Sequence, residues 1–228
     1  MSTMKVIVVG QNADVIIPAV KKAGFTIVEK KPDFIVSYGG DGTLMIAEHL
    51  YPGIPKIILK GSLICKLCPP FSNEEILKRT RAGKYEIEKA WKLEARANGT
   101  TLTGLNDIVV HNTDMRHAMR YTVFVDEVQM GHGIIGDGVV LATPFGSSGY
   151  YRSITDSIFE TGIGLAFNNS TEQADHIVLK ENRTVAIHIT RGPAVVYADN
   201  QEESLSLNAG ERVVIRKSTQ FAKIVRPQ

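Results

Sequence analysis

The stretch Phe34-Ile35-Val36-Ser37-Tyr38-Gly39-Gly40-Asp41-Gly42-Thr43 decides the fold. An apolar, β-branched run enters it, three glycines in four positions follow, and a helical stretch from Thr43 to His49 leaves it. A buried strand that ends in a bare turn and opens a helix marks an open α/β sheet, whose ligands bind outside the carboxyl ends of the strands. Glycines there let backbone N–H groups approach phosphate oxygens, and the following helix adds its favourable N-terminal dipole. Asp41 is the odd member, because a carboxylate repels phosphate unless it faces a metal or a hydroxyl. The same residues also read as a tight strand-to-helix turn with Asp41 as N-cap.

Upstream, Val6-Ile7-Val8-Val9 predicts a buried strand closed by Gly10, Asn12 caps a helix that runs to Gly24, and Thr26-Ile27-Val28 predicts a strand. Downstream, Lys56-Ile57-Ile58-Leu59 predicts a strand, and Ser72 with Glu75 sets a capping box for a helix to Ala82. Strand and helix alternate, which implies a parallel sheet covered on both faces. After Ala90 the period changes. Trp91 to Arg96, Asp107 to His111, Arg120 to Val125 and Gly138 to Thr143 are β-branched or alternating, and further strands are expected at 177–179, 184–190, 194–198, 212–216 and 222–225. Two domains are therefore expected: an α/β domain over residues 1–90 and a β-rich domain over residues 91–228.

The 228 residues are 43% hydrophobic and 22% charged, enough for one large or two small cores and unlike disordered, collagenous or coiled-coil chains. Twenty-six Lys and Arg against 24 Asp and Glu leave +2, so no strong field draws the protein to nucleic acid or anionic lipid. The opening run MSTMKVIVVG lacks a signal-peptide layout, and no apolar run approaches the roughly 18 residues of a membrane span. A reduced, cytoplasmic setting is the expectation, with Cys65 and Cys68 as free thiols, since no second Cys pair or matching His completes a zinc site. His49, His111, His117, His132, His176 and His188 are scattered, so no protein-held metal is expected.

Two more polar clusters follow. Asn106-Asp107 heads an apolar strand, and such a pair suits ribose hydroxyls, because Asn donates and accepts while Asp accepts twice. Its alternative is an Asx-type turn closing a loop from Asn98 to Gly104. The run Asp137-Gly138 to Thr143-Pro144-Phe145-Gly146-Ser147-Ser148-Gly149-Tyr150 crowds hydroxyls and bare backbone after a strand, a density that a mere connection rarely needs. Tyr150 adds an aromatic face and a phenol.

In order and approximate spacing, Gly39-Gly40-Asp41-Gly42-Thr43, Asn106-Asp107 and the 137–150 run resemble the NAD kinase family, and Asp199-Asn200-Gln201 is similar to its late Asp-Gly-Gln turn. The resemblance implies an N-terminal α/β domain, a β-rich C-terminal domain and NAD held between them. By position it implies Asp41 as the catalytic aspartate near the reacting 2′-hydroxyl. Gly39, Gly40, Gly42 and Thr43 are then expected to hold donor phosphates. Asn106, Asp107, His117, Asp137, Thr143, Ser147, Ser148, Gly149, Tyr150 and Gln201 are expected to hold NAD. ATP or polyphosphate is the expected donor, magnesium arrives with it, and a homodimer or homotetramer is implied. The chain departs from the family at Lys60-Gly61-Ser62-Leu63-Ile64-Cys65-Lys66-Leu67-Cys68-Pro69, where an Asn-Gly-rich loop is usual, and at Phe145 and Tyr151-Arg152-Ser153-Ile154. Those departures leave a rival reading: a nucleotide-binding regulatory protein that keeps the fold without turnover. A lipid kinase is a third.

Overall fold

A computed structural model describes residues 3–171 and 175–228, with the backbone alone at 131 and 132. Met1 and Ser2 of the opening run, and residues 172–174, lie outside it. The chain divides into two compact units: residues 1–90 with 220–228, and residues 91–219.

The first unit alternates strand and helix: β1 (Met4–Val9), α1 (Ala13–Lys22), β2 (Phe25–Ile27), β3 (Phe34–Gly39), α2 (Asp41–Leu50), β4 (Lys56–Lys60) and α3 (Asn73–Arg81). Its sheet has the order β2-β1-β3-β4, every pair parallel, and Ile224 of the last strand of the chain extends it by pairing with Lys56. Val6, Val20, Phe25, Val36, Ile57, Leu59, Ile76 and Leu77 are buried in one core. The Ser72 hydroxyl accepts the Glu75 N–H at 3.2 Å, as the capping box requires. Asn12 stands at the N-cap of α1, but its side chain makes no capping bond; the Val15 N–H bonds its backbone carbonyl instead.

Strand order reverses about β1, which has β2 on one side and β3 on the other, so the carboxyl ends of β1 and β3 form a topological switch point. Gly10 ends β1 at φ +154°, where a Cβ would collide with the Tyr38 carbonyl of β3. Asp41 follows that crossing point directly.

The second unit contains β5 (Tyr85–Ala97, from Trp91 on), β6 (Thr100–Gly104), β7 (Asp107–Asn112), β8 (Met119–Val125), β9 (Val128–Gly136), β10 (Gly138–Ala142), α4 (Tyr150–Thr155), β11 (Ile163–Asn168), β12 (His176–Leu179), β13 (Val185–Arg191), β14 (Ala194–Ala198), β15 (Ser204–Leu207) and the start of β16 (Arg212–Pro227). One antiparallel set runs β16-β13-β8-β9, with β5 and β6 as a hairpin; the other is a six-stranded sheet, β12-β11-β10-β7-β14-β15. Apolar side chains of both, among them Ile108, Val110, Tyr121, Val139, Leu141, Ile187, Val196 and Val213, share one core. The opposite face of the six-stranded sheet packs Val109, Val140 and Ala166 against Tyr151 of α4.

Three expectations are corrected. The segment 98–104 is not a loop, since Asn98 and Gly99 take φ +50° and +78° and turn the β5–β6 hairpin with Ala97 opposite Thr100. The two closing strands are one, β16, and its residues 220–228 return to the first unit rather than ending the β-rich half. Cys65 and Cys68 form a disulfide, with Cα atoms 5.4 Å apart across three residues, instead of free thiols. Among the described residues no helix is long and apolar enough to cross a membrane.

Candidate active site

In the first unit, β3 delivers its chain to Gly40, the N-cap of α2, whose backbone is extended and offers no side chain; Asp41 is therefore the first helical residue and not the cap. The glycines admit close neighbours. A Cβ at Gly39 would strike the Thr43 hydroxyl, and one at Gly40 would lie 2.9 Å from the Ile64 carbonyl and 3.4 Å from Ser62 Cβ. The loop that follows β4 thus lies directly on this turn, with the Gly61 N–H donating to the Gly39 carbonyl at 2.9 Å. The half-buried Asp41 carboxylate accepts the Lys66 N–H on Oδ2 at 3.2 Å and the Leu67 N–H on Oδ1 at 3.0 Å. Two backbone donors fix its orientation, and a carboxylate so held is a positioned acceptor.

In the second unit, Asn106 and Asp107 are held from behind by Asp199. Its carboxylate accepts the N–H groups of Leu105 (2.7 Å), Asn106 (2.7 Å) and Asp107 (3.2 Å), while its own N–H donates to the Asp107 carbonyl at 3.1 Å. Asp199 reaches this arrangement in the left-handed region, at φ +49°. Burial first and the neighbouring Asp199 charge second push the Asp107 carboxyl up to about 7. Burial also raises Asp199, against the three N–H bonds and the Lys92 charge that favour its ionised form.

The 143–150 turn closes over the same pair. Thr143 donates its N–H to the Asn106 carbonyl (2.8 Å) and its hydroxyl to the Leu105 carbonyl (2.7 Å), and that hydroxyl accepts the Gly146 N–H at 3.1 Å. Gly146 lies so close on the Asn106 backbone that any Cβ would collide with it. The outcome is a buried Asn106 Oδ1 that meets no donor among the described residues. A buried carbonyl oxygen without a partner is destabilising unless a ligand supplies the hydrogen bond.

Tyr150 opens α4 at 38% exposure, and its phenol accepts the Asn168 amide at 3.1 Å. Burial and the Asp137 charge raise its pKa. Asp137 accepts the Asn169 amide at 2.8 Å. Tyr150, Ser153, Ile154, Phe167, Asn168 and Asn169 line a cavity of about 340 Å³.

The structure therefore gathers Asn106, Asp107, Thr143, Ser147, Ser148, Gly149 and Tyr150 where β7 begins, β10 ends and α4 begins, whereas Asp137 precedes β10 at its other end, where its carbonyl accepts the Asn112 N–H at 2.9 Å. Within that group Thr143 uses its hydroxyl proton on the Leu105 carbonyl, and Ser147 is buried. Gln201 donates its amide to the Thr103 carbonyl at 2.7 Å, bracing β6. His117 stands apart on an exposed loop, where Asp114 binds both its ring (3.1 Å) and the Arg116 guanidinium (2.9 Å). Asn168 and Asn169 were not expected; the signal for them is the polar pair that ends the apolar run of β11. Among the described residues no three His, Cys, Asp or Glu side chains gather as metal ligands, and the His132 side chain lies outside them.

Residues 105–227 match the model of the ATP-NAD kinase C-terminal domain. An NAD kinase of Saccharolobus islandicus is 34% identical over 138 residues, 60% of this chain and 54% of that protein, so the matched stretch spans about half the length of that relative. An NAD kinase of Saccharolobus solfataricus is 29% identical over 214 residues, 90% of this chain and 84% of that protein. In fold, the chain superposes on an NAD kinase from Archaeoglobus fulgidus, solved in complex with ATP, with a TM-score of 0.81 at 22% identity, covering 100% of this chain and 94% of that one. A yeast NADH kinase complexed with NADH gives a TM-score of 0.87 at 15% identity, covering 100% and 84%.

Proposed function

The chain belongs to the NAD kinase family, and from that premise we propose that it moves the γ-phosphoryl group of ATP, or of a polyphosphate, onto the adenosine 2′-hydroxyl of NAD to give NADP. The observation that carries this reading is the shell of Asn106 and Asp107. Asp199, Thr143 and Gly146 build a rigid frame around an amide oxygen that is left without a donor among the described residues, as a site for a sugar hydroxyl requires. Asn106 accepts from and donates to ribose hydroxyls, Asp107 accepts from a second, and Tyr150 lies against the far part of the dinucleotide.

Asp41 orients the reacting hydroxyl and takes its proton. Phosphoryl transfer passes through a loose transition state, so alignment contributes more than basicity and the proton leaves late. A carboxylate fixed by two N–H donors suits that order of importance. Gly39, Gly40, Gly42 and Thr43, at the switch point of the sheet, hold donor phosphates. Magnesium would arrive with those phosphates and would neutralise charge on the donor. A cytoplasmic, homo-oligomeric enzyme completes the proposal.

One observation favours the regulatory reading: the stretch from Lys60 to Pro69, which replaces the family's Asn-Gly-rich loop, lies directly on the Gly39-Gly40 turn. Incubating purified protein with magnesium-ATP and NAD, then detecting NADP with an NADP-specific dehydrogenase, separates the two. Sustained NADP formation supports the kinase; NAD binding without NADP supports the regulator.

A further inference from the structure

The loop from Gly61 to Pro69 has no regular structure and lies over the Asp41 turn, tied down at Gly61 by its bond to Gly39 and at Leu67 by the Arg226 guanidinium, which donates to its carbonyl at 3.0 Å. The two residues whose N–H groups hold Asp41, Lys66 and Leu67, are the two residues enclosed between Cys65 and Cys68. The bridge therefore closes a small ring whose interior N–H groups both point at one carboxylate. Both sulfur-bearing residues are partly exposed, so a small reductant reaches them, and they are the two cysteines of the whole chain. A bridge between residues three apart adds little to the overall fold compared with one closing a long loop. Its effect is local.

We infer that Cys65 and Cys68 form a redox-modifiable site that clamps Asp41: the disulfide holds the Lys66 and Leu67 N–H groups on the carboxylate, and reduction by a dithiol releases it. The step balances. A dithiol reductant supplies two electrons and two protons, the S–S bond breaks, two S–H groups form, and the reductant closes its own disulfide. With the ring open, the chain at Lys66 and Leu67 regains backbone freedom and Asp41 loses its fixed orientation. Because alignment dominates the proposed transfer, the oxidised form is the faster one. In a reducing compartment a bridge of this kind is a transient, sensing state.

The inference rests on the proposed role of Asp41, so its test has an arm independent of turnover. NADP formation is measured on protein equilibrated with oxidised and then with reduced dithiothreitol, and amide exchange at Lys66 and Leu67 is followed by NMR in both states. Reduction is expected to lower kcat by roughly tenfold or more, leave the KM for NAD within about twofold, speed exchange of both amides, and reverse on reoxidation. The Cys65→Ser/Cys68→Ser variant is expected to resemble the reduced form and ignore dithiothreitol. An unchanged or raised kcat on reduction overturns the inference, as does an equal response of the double variant. If neither form makes NADP, the proposed function fails and exchange alone decides: faster exchange upholds the clamp, unchanged exchange overturns it.

Discussion

Among the described residues Asn106 presents a buried Oδ1 with no donor, inside a frame formed by residues far away in the chain. If a ribose hydroxyl supplies the missing bond, Asn106→Ala weakens NAD binding by about 1 to 3 kcal/mol, measured by calorimetry; unchanged affinity removes Asn106 from the site. Asp107, beside it, makes stability depend on pH. Its folded pKa of about 7 stands above the ordinary 3.8, so the folded state binds the extra proton, and the stability this provides is fully present below about pH 4 and lost as pH rises through 7. Asp199 is shifted in the same direction, whereas Asp114 and Asp126 are lowered and lose their contributions only in acid. The ligand-free protein is thus expected to melt several degrees lower at pH 8 than at pH 5, with Asp107→Asn flattening that slope. A slope equal in the variant and the parent contradicts the assignment to Asp107. As candidates, Asp41 and Asn106 stand out in sequence because one follows and the other heads a short apolar run, and Tyr150 because it closes a turn of small, hydroxyl-bearing residues. The part Asp199 plays was not legible, since the N–H groups it binds lie 92 to 94 residues earlier in the chain. Nor was the disulfide, because a Cys-x-x-Cys spacing serves thiols, metals and bridges alike, and only the local backbone decides among them.

Among the elements, the 143–150 turn has the tightest fit. Gly146 has no room for a side chain against Asn106, so Gly146→Ala pushes the turn off β7 and moves Asn106, Thr143 and Tyr150 together. NAD affinity is expected to fall at least tenfold, with a lower melting temperature; an Ala variant with parental affinity shows that the turn does not frame the site. The strands and helices of the first unit were readable from their period because buried parallel strands are short apolar runs and α3 carries its capping box in sequence. β6, β9, β11 and β15 escaped, since Thr100–Gly104 and Ser204–Leu207 are rich in Thr and Ser while glycine interrupts Val128–Gly136 and Ile163–Asn168. For β6 the Asn98-Gly99 hairpin signal was present and overlooked. β16 read as two strands because Lys217-Ser218-Thr219-Gln220 interrupts its apolar pattern where the strand passes from one unit to the other.

At the scale of the whole molecule, the order of the three polar clusters along the chain was more informative than any one of them, because a glycine-rich strand end is common among α/β proteins while its succession by Asn106-Asp107 and the 137–150 run is not. Edge strands such as β2, β12 and β15, with a net charge of only +2, leave surfaces suited to pairing between copies. Light scattering at micromolar concentration is expected to give a multiple of the 25.0 kDa chain mass, whereas a single-chain mass across a dilution series shows a monomer. The central claim is that Asp41 aligns and deprotonates a hydroxyl of NAD for phosphoryl transfer. Its most direct test is NADP formation from magnesium-ATP and NAD by the parent protein and by Asp41→Asn, alongside NAD affinity for both. The account predicts that the variant binds NAD as the parent does and turns over roughly 10² to 10⁴ times more slowly; turnover within a few-fold of the parent, or a parent that makes no NADP, contradicts it.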